Sequence, residues 1–219
     1  VDLFGNDLED LSSPENDTRY ALIKELVVKF KEATTFGSLI SMDNQEQDFV
    51  DLQNTIENLV AEGDTLQKAA AKKLLPLVIQ AKILAKKYDA AIANPPYMGQ
   101  GYFNASLKYF ASTVFKEWSG DLFTCFIKRM INFLKKNGNL SLITIGTWTF
   151  LPTYENMRAS LLKEVNFSSI IDNGRGVWGS DHGSIMFSAA KGVLHHNKNL
   201  IGTKFLSRGK GKVQPIETI

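Results

Sequence analysis

The spacing of apolar residues predicts a helical first part of the chain, residues 1–87, followed by a part in which strands and helices alternate. Apolar residues recur every three or four positions over 18–32, which predicts an amphipathic helix. A longer helical pattern covers 45–87, with a break at Gly63-Asp64 and a disturbance at Pro76, and predicts a helical hairpin. We therefore expect the first part to be a mostly helical insertion or linker region.

The second part begins with "YDAAIA", a short apolar run that stops at Asn94-Pro95-Pro96, as a buried parallel strand does. Further strands are predicted at 139–145, 167–173 and 183–191, and helices at 121–136 and 154–165. The first of these helices is expected to end at Lys135-Lys136-Asn137-Gly138, with basic residues before a glycine cap. This alternation predicts an open α/β sheet whose ligands bind at the carboxyl ends of the strands, where Asn94 lies.

The tetrapeptide Asn94-Pro95-Pro96-Tyr97 places two neutral hydrogen-bond acceptors and an aromatic ring at a strand end. The side-chain oxygen of Asn94 and the carbonyl of Pro95 match the two N–H bonds of an exocyclic amine, and proline fixes the backbone that aims them. Tyr97 offers a flat face on which a base stacks. This pattern indicates methyl transfer to the amine of a base flipped out of a duplex. The competing interpretation is a rigid turn that only ends the strand.

The composition is that of a globular protein, with 44% hydrophobic and 22% charged residues and a net charge of +2. No apolar run approaches the ~18 residues of a membrane-spanning helix, and no signal peptide is evident. Because the chain starts at Val1, we expect it to be an excised piece of a longer protein. Its single cysteine, Cys125, forms no internal disulfide, which favours a reducing cytoplasm. The three histidines, His182, His195 and His196, lack partners at metal-ligand spacing, so no metal site is predicted.

Basic residues follow one another near the end of the chain without an acidic residue between positions 182 and 216. They are Lys191, Lys198, Lys204, Arg208, Lys210 and Lys212. A basic, glycine-containing segment suits a polyanion such as DNA, although charge alone fits a solvated tail equally well.

The motif Asn94-Pro95-Pro96-Tyr97 after a strand resembles that of amino-methyltransferases acting on nucleobases, and its Asn form is typical of adenine N6 enzymes. Residues 120–164 resemble the segment after the catalytic motif in the large DNA adenine methyltransferases of restriction-modification and phage-defence systems. The succession of "TFGSLI", a helical insertion and "KYDAAIANPPYMG" looks especially like the BREX type. The resemblance covers roughly residues 34–190, and it implies a partial Rossmann-like class I methyltransferase sheet with an N-terminal helical insertion.

The resemblance implies S-adenosylmethionine as cofactor, double-stranded DNA as substrate and other restriction or phage-defence subunits as partners. It implies that Asn94 and Pro95, within the motif completed by Pro96, bind the adenine amine, and that Tyr97 stacks on the flipped base. Further residues fall at family positions near the bound groups. They are Asp121, Leu122 and Phe126, near the adenosyl end of the cofactor, and Trp178, on the other side of the adenine.

The chain departs from the family where the cofactor loop is expected. No Gly-rich cofactor loop, and no acidic residue to hold the ribose, is evident in residues 1–87. The one G-x-G-x-x-G pattern, Gly174 to Gly179, opens no predicted helix and follows the catalytic motif, so we reject it as a dinucleotide fingerprint. Residues 88–190 are thus expected to be the catalytic half of a methyltransferase domain, and 191–219 to lead towards an absent target-recognition region. We expect the isolated chain to bind S-adenosylmethionine weakly and not to turn over.

Two other functions fit parts of the sequence. The same tetrapeptide serves methyltransferases of protein glutamine and of ribosomal RNA, but these generally lack the 45–87 insertion and fit residues 120–164 poorly. A non-catalytic, methyltransferase-like DNA-binding subunit would account for the missing cofactor loop, whereas the intact motif argues against it.

Overall fold

A computed structural model describes residues 18–174, 183–192, 200–204 and 217–218. The chain divides into two compact units, Val1–Lys86 and Lys87–Ile219. The first is helical within its described residues, and the second is built on a mixed β-sheet.

Within its described residues, 18–86, the helical unit contains four α-helices and one 3₁₀ turn. They are α1 (Thr18–Phe30), α2 (Ala33–Phe36), the 3₁₀ turn Gly37–Leu39, α3 (Glu46–Glu62) and α4 (Thr65–Ala85). The break between α3 and α4 lies at the predicted Gly63-Asp64, where Asp64 accepts a hydrogen bond from the Gln67 N–H at 2.9 Å and so caps α4. Gly37, which ends α2, has φ +51°, a conformation that favours glycine.

Helices α1, α3 and α4 bury one apolar cluster within this unit. It includes Leu26, Phe49, Leu52, Ile56, Leu74 and Val78. Pro76 does not break α4: it lies exposed inside a continuous helix, between the buried Leu74 and Val78. The predicted disturbance at this position is therefore absent from the secondary structure, because packing of the buried face holds the helix together.

The described part of the sheet unit has six strands in the order β1-β2-β4-β3-β5-β6. The strands are β1 (Tyr88–Ala93), β2 (Leu134–Ile145), β3 (Val165–Gly174), β4 (Ser184–Lys191), β5 (Ile201–Lys204) and β6 (Glu217–Thr218). β1 and β2 are parallel, as are β3 and β5, whereas β4 runs antiparallel between β2 and β3, and β6 is antiparallel to β5. The predicted α/β class is confirmed, with a mixed rather than a purely parallel sheet.

Three α-helices lie between the strands in the described residues of this unit: α5 (Ala105–Val114), α6 (Leu122–Phe133) and α7 (Glu155–Glu164). Asn104 caps α5 by accepting the Leu107 N–H at 2.8 Å. This helix was not among the predicted elements, because the glycine-rich loop before it obscures a short apolar pattern of Leu107 and Ala111.

The predicted end of α6 is wrong by three residues. α6 ends at Phe133, and Lys135–Gly138 belong to β2, where the pairing with β1 jumps from Tyr88↔Leu134 to Ala90↔Asn139. The extra residues form a bulge with Asn137 at φ +64°. The Asn-Gly pair thus belongs to a bulge within a strand and is not a helix cap.

Burial alternates along the central strands, so that one face of the sheet carries the core. Leu140, Leu142 and Thr144 of β2 are buried, as are Phe187 and Ala189 of β4. On the other face, Ile92 of β1 remains 81% exposed. Helix α6 contacts β1 and β2, and α7 contacts β3. Within the described part of the chain, no helix has the length and hydropathy needed to cross a membrane.

Candidate active site at the end of strand β1

The predicted tetrapeptide lies directly after β1, at the carboxyl end of the parallel pair β1–β2. Asn94 is exposed, Pro95 is buried and Tyr97 is 45% exposed. The Tyr97 hydroxyl lies 2.8 Å from Asn94 Oδ1 and 3.1 Å from the Ile143 carbonyl oxygen of β2. Its single hydrogen therefore has two acceptors, and it ties the asparagine side chain to the neighbouring strand.

Asp121 joins the residue after the tetrapeptide to the start of α6. Its Oδ1 accepts the Met98 N–H at 3.0 Å and the Phe123 N–H at 3.2 Å. The two backbone segments also pair directly, since the Leu122 N–H donates to the Met98 carbonyl at 2.9 Å, and Gly99 and Asp121 form an antiparallel bridge. The carboxylate thus serves as the N-cap of α6 and as an anchor for the tip of β1.

The carboxyl group of Asp121 is buried, with the residue only 6% exposed. Burial raises its pKa, while hydrogen bonds from the Phe123, Met98 and Leu122 backbone oppose that shift. Burial also raises the pKa of Tyr154, and the nearby Asp121 carboxylate adds to that rise. Tyr154 therefore remains a neutral phenol at physiological pH.

Two partly exposed tyrosine rings pack on one buried phenylalanine ring at the tip. Tyr97 packs edge-on against Phe123 with ring centroids 6.1 Å apart, and Phe123 lies 6.0 Å from Tyr154. Phe123 itself is fully buried. The ring of Tyr97 is thus supported on one side by α6 and remains partly open to solvent on the other.

The structure brings Asp121 to the tip, and it places Leu122 and Phe126 one turn apart on α6, where both are half-buried. Trp178, like His182, His195 and His196, lies outside the described residues. Phe123, Tyr154 and Ile143 were not predicted as site residues. Helical periodicity had marked Phe123 as apolar, but no local signal connects Tyr154 or Ile143 with the tip.

A shallow pocket of about 370 Å³ opens beside Asn94 on the less buried face of the sheet. It is lined by side chains of four strands, among them Ile92, Ser141, Ile143, Ser169 and Met186. Among the described residues, no group of three or more His, Cys, Asp or Glu side chains is placed to hold a metal ion.

Residues 16–178 match the Eco57I restriction-modification methylase family, which is about three quarters of the chain. The chain belongs to this family. The predicted resemblance to large restriction-modification and BREX methyltransferases is thereby confirmed, and curated relatives agree with it. The adenine-specific methyltransferase BrxX of Escherichia coli O9:H4 (strain HS) is 35% identical over 176 residues, or 80% of this chain and 15% of that protein.

A second relative of this Eco57I-family chain is the adenine-specific methyltransferase PglX of Lacticaseibacillus casei (strain Zhang). It is 26% identical over 144 residues, which cover 62% of this chain and 12% of that protein. The chain thus spans less than a sixth of the length of either relative.

Solved structures similar to the Eco57I-family chain include a putative class I S-adenosylmethionine-dependent methyltransferase from Listeria monocytogenes. Its TM-score is 0.45 at 11% identity, covering 89% of this chain and 76% of that one. Another is a nuclease-deletion mutant of the Type ISP restriction-modification enzyme LlaGI in complex with a DNA substrate mimic. Its TM-score is 0.45 at 16% identity, and the match covers 73% of this chain and 19% of that one.

Proposed function

We propose that the full-length protein containing this chain transfers a methyl group from S-adenosylmethionine to the N6 amine of an adenine flipped out of double-stranded DNA. The setting is restriction-modification or phage defence, in the cytoplasm and with other subunits of such a system as partners. Membership of a restriction-modification methylase family and relatives named as adenine-specific methyltransferases support the proposal.

The geometry of Asn94 carries the proposal. Its carboxamide is exposed at a strand end, yet Oδ1 is held by the Tyr97 hydroxyl at 2.8 Å. A carbonyl oxygen has two acceptor sites, so Oδ1 keeps one for an incoming N–H. The buried Pro95 fixes the adjoining backbone and its carbonyl, and Pro96 restricts the conformation of Pro95.

We assign the substrate-binding roles from this geometry. Asn94 Oδ1 and the Pro95 carbonyl accept the two N–H bonds of adenine N6 and turn its lone pair from the conjugated ring towards the methyl group. Tyr97 stacks on the base with its open face. Stacking and edge hydrogen bonds offset the few kcal/mol that flipping the base costs.

The cofactor supplies an electrophilic methyl group on a sulfonium. The chain fits one end of that cofactor: Leu122 and Phe126 present a half-buried apolar face of α6, next to the carboxylate of Asp121. This face suits the adenosyl end, and we assign the three residues to it. Trp178 is assigned to the far side of the flipped adenine. Residues that hold the rest of the cofactor are not evident in the chain, so we expect the isolated chain to bind S-adenosylmethionine weakly and without turnover.

Nucleoside mass spectrometry on DNA incubated with S-adenosylmethionine and the full-length protein tests this function. We expect N6-methyladenine with the wild type, and a rate lower by about 10²-fold or more in Asn94→Ala, the scale of losing one preorganised transition-state hydrogen bond. The matched control is Asn54→Ala, which truncates an exposed asparagine in the middle of α3 and should methylate as the wild type does.

Two results would contradict the proposal. Equal activity of Asn94→Ala and the wild type would remove the motif from the chemistry. Absence of methylated adenine from a folded wild type that binds both cofactor and DNA, tested with its system partners present, would instead support a methyltransferase-like subunit that only binds.

A further inference from the structure

We infer that Asp121 is a positioning residue that fixes the tip of β1 to α6 through backbone hydrogen bonds. The inference rests on the proposed function, because it concerns the alignment of Asn94 and Tyr97 with an amine. It assigns to Asp121 a task on the acceptor side of the reaction, in addition to any contact with the cofactor.

The first step of the argument is where the carboxylate bonds go. One oxygen, Oδ1, accepts N–H groups from two different segments, Met98 at 3.0 Å and Phe123 at 3.2 Å. Met98 directly follows Tyr97, and Phe123 carries the ring on which Tyr97 packs. The N–H of the residue that follows Tyr97 and the N–H of the residue that packs against its ring therefore share one acceptor, Asp121 Oδ1.

The second step is that the backbone of Asp121 is itself held. The Thr124 hydroxyl lies 2.6 Å from the Asp121 carbonyl oxygen and also contacts the Trp118 carbonyl, and the Asp121 N–H points to Thr124 Oγ1 at 3.3 Å. Thr124 and Trp118 are both buried. A buried acceptor whose own backbone is fixed on both sides is suited to aiming other groups.

The third step compares two substitutions of Asp121, to alanine and to asparagine. An alanine at 121 leaves the Met98 and Phe123 N–H groups without their acceptor at a mostly buried site, so that the segment after Tyr97 shifts to find water. Asp121→Asn keeps a side-chain oxygen that can take the place of Oδ1, and it replaces the second oxygen with a neutral NH₂ group. If Asp121 acts by accepting backbone N–H groups, asparagine should serve; if it acts through its charge on the cofactor, asparagine should not.

The test compares Asp121→Ala, Asp121→Asn and the wild type in the full-length protein, by single-turnover methyl transfer and by the equilibrium affinity for S-adenosylmethionine. We expect Asp121→Ala to slow transfer at saturating S-adenosylmethionine by about 10²-fold, the effect of displacing a reacting group by about 1 Å. We expect Asp121→Asn to recover transfer to within about fivefold of the wild type.

The matched control is Asp64→Ala. It removes an aspartate N-cap of the same kind from α4, where Asp64 accepts the Gln67 N–H at 2.9 Å. Loss of a helix cap by itself should therefore leave the transfer rate unchanged in this variant.

Hydrogen exchange supplies a readout that needs no activity. In Asp121→Ala the amides of Met98 and Phe123 should exchange at least about tenfold faster than in the wild type, with no such change in Asp64→Ala. Unchanged exchange, or unchanged transfer in Asp121→Ala, would overturn the inference. So would an Asp121→Asn variant that is as slow as Asp121→Ala and binds the cofactor equally weakly. A wild type without methylation refutes the proposed function instead, and the exchange result then still decides whether Asp121 anchors the tip.

Discussion

The Tyr97→Phe substitution separates the two tasks that the structure gives to Tyr97. The change keeps the ring, with its edge contact to Phe123 at 6.1 Å, and removes the hydroxyl that lies 2.8 Å from Asn94 Oδ1 and 3.1 Å from the Ile143 carbonyl. Burial raises the pKa of Tyr97 above its ordinary value of 10.0, so the hydroxyl is a neutral donor throughout the pH range of an assay. What is lost is one hydrogen bond between neutral groups.

The expected loss of transfer rate follows from the loss of this one hydrogen bond. A neutral hydrogen bond contributes about 0.5–1.5 kcal/mol net, and Tyr97 is 45% exposed, so its bond belongs near the lower end. At 1.36 kcal/mol per factor of ten, we expect transfer to slow by roughly 2- to 10-fold in Tyr97→Phe. Tyr97→Ala also loses stacking on the base, about 1–3 kcal/mol, and should be slower by a further factor of about 5 to 150.

Single-turnover methyl transfer to a duplex with adenine at the target position measures the rates of both variants. The fluorescence of a second duplex, with 2-aminopurine at that position, reports base flipping. Tyr109→Phe is the matched control, because Tyr109 is 75% exposed on α5 and its hydroxyl has no described partner. Tyr97→Phe should retain the flipping signal that Tyr97→Ala loses. A Tyr97→Phe variant as slow as Tyr97→Ala, or one equal to the wild type in transfer rate, would refute the division of tasks.

Two further predictions concern reactivity and stability. Burial raises the pKa of the Cys125 thiol to about 12, and it remains protonated until the pH approaches that value. Peptide-level mass spectrometry should therefore find Cys125 unmodified by a thiol reagent at pH 8 in the native protein and modified after denaturation; rapid native labelling would contradict this. Pro76→Ala restores a backbone hydrogen bond in the middle of α4 and should stabilise the helical unit by about 1–3 kcal/mol. Urea unfolding followed by circular dichroism measures the change, and an unchanged or lower midpoint would show that the native helix is already relaxed around the proline.

Much of the fold is predictable because its signals are local. The strand at β1 ends where two prolines stop it, and the break between α3 and α4 falls where a glycine precedes a capping aspartate. The end of α6 was mispredicted because Lys135–Gly138 carries a local pattern that fits a helix end and a bulge equally well. Pairing with β1 decides between them, and pairing is a long-range property. The antiparallel placement of β4 between β2 and β3 is non-local for the same reason.

In the candidate site, too, residues with a local signal were predictable, whereas long-range contacts were not. Asn94 and Tyr97 could be predicted as site residues because the tetrapeptide is contiguous, and Asp121, Leu122 and Phe126 because of a resemblance. The hydrogen bond from Met98 to Asp121 spans 23 residues, and that from Tyr97 to Ile143 spans 46. Such contacts exist only once the sheet has brought the ends of β1 and β2 together, and no periodicity in the sequence announces them.

The two acceptors at this tip, Asn94 Oδ1 and the Pro95 carbonyl, are neutral, and this determines which step of the reaction they assist. In the proposed transfer the adenine amine is neutral at the start and gains positive charge as it takes the methyl group. Its hydrogen bonds to Asn94 Oδ1 and the Pro95 carbonyl therefore change from neutral bonds to stronger, charge-assisted ones. That difference arises only in the transition state, so it lowers the barrier without tightening substrate binding. The loss in Asn94→Ala should consequently appear in the rate of transfer, while its affinity for DNA stays close to that of the wild type.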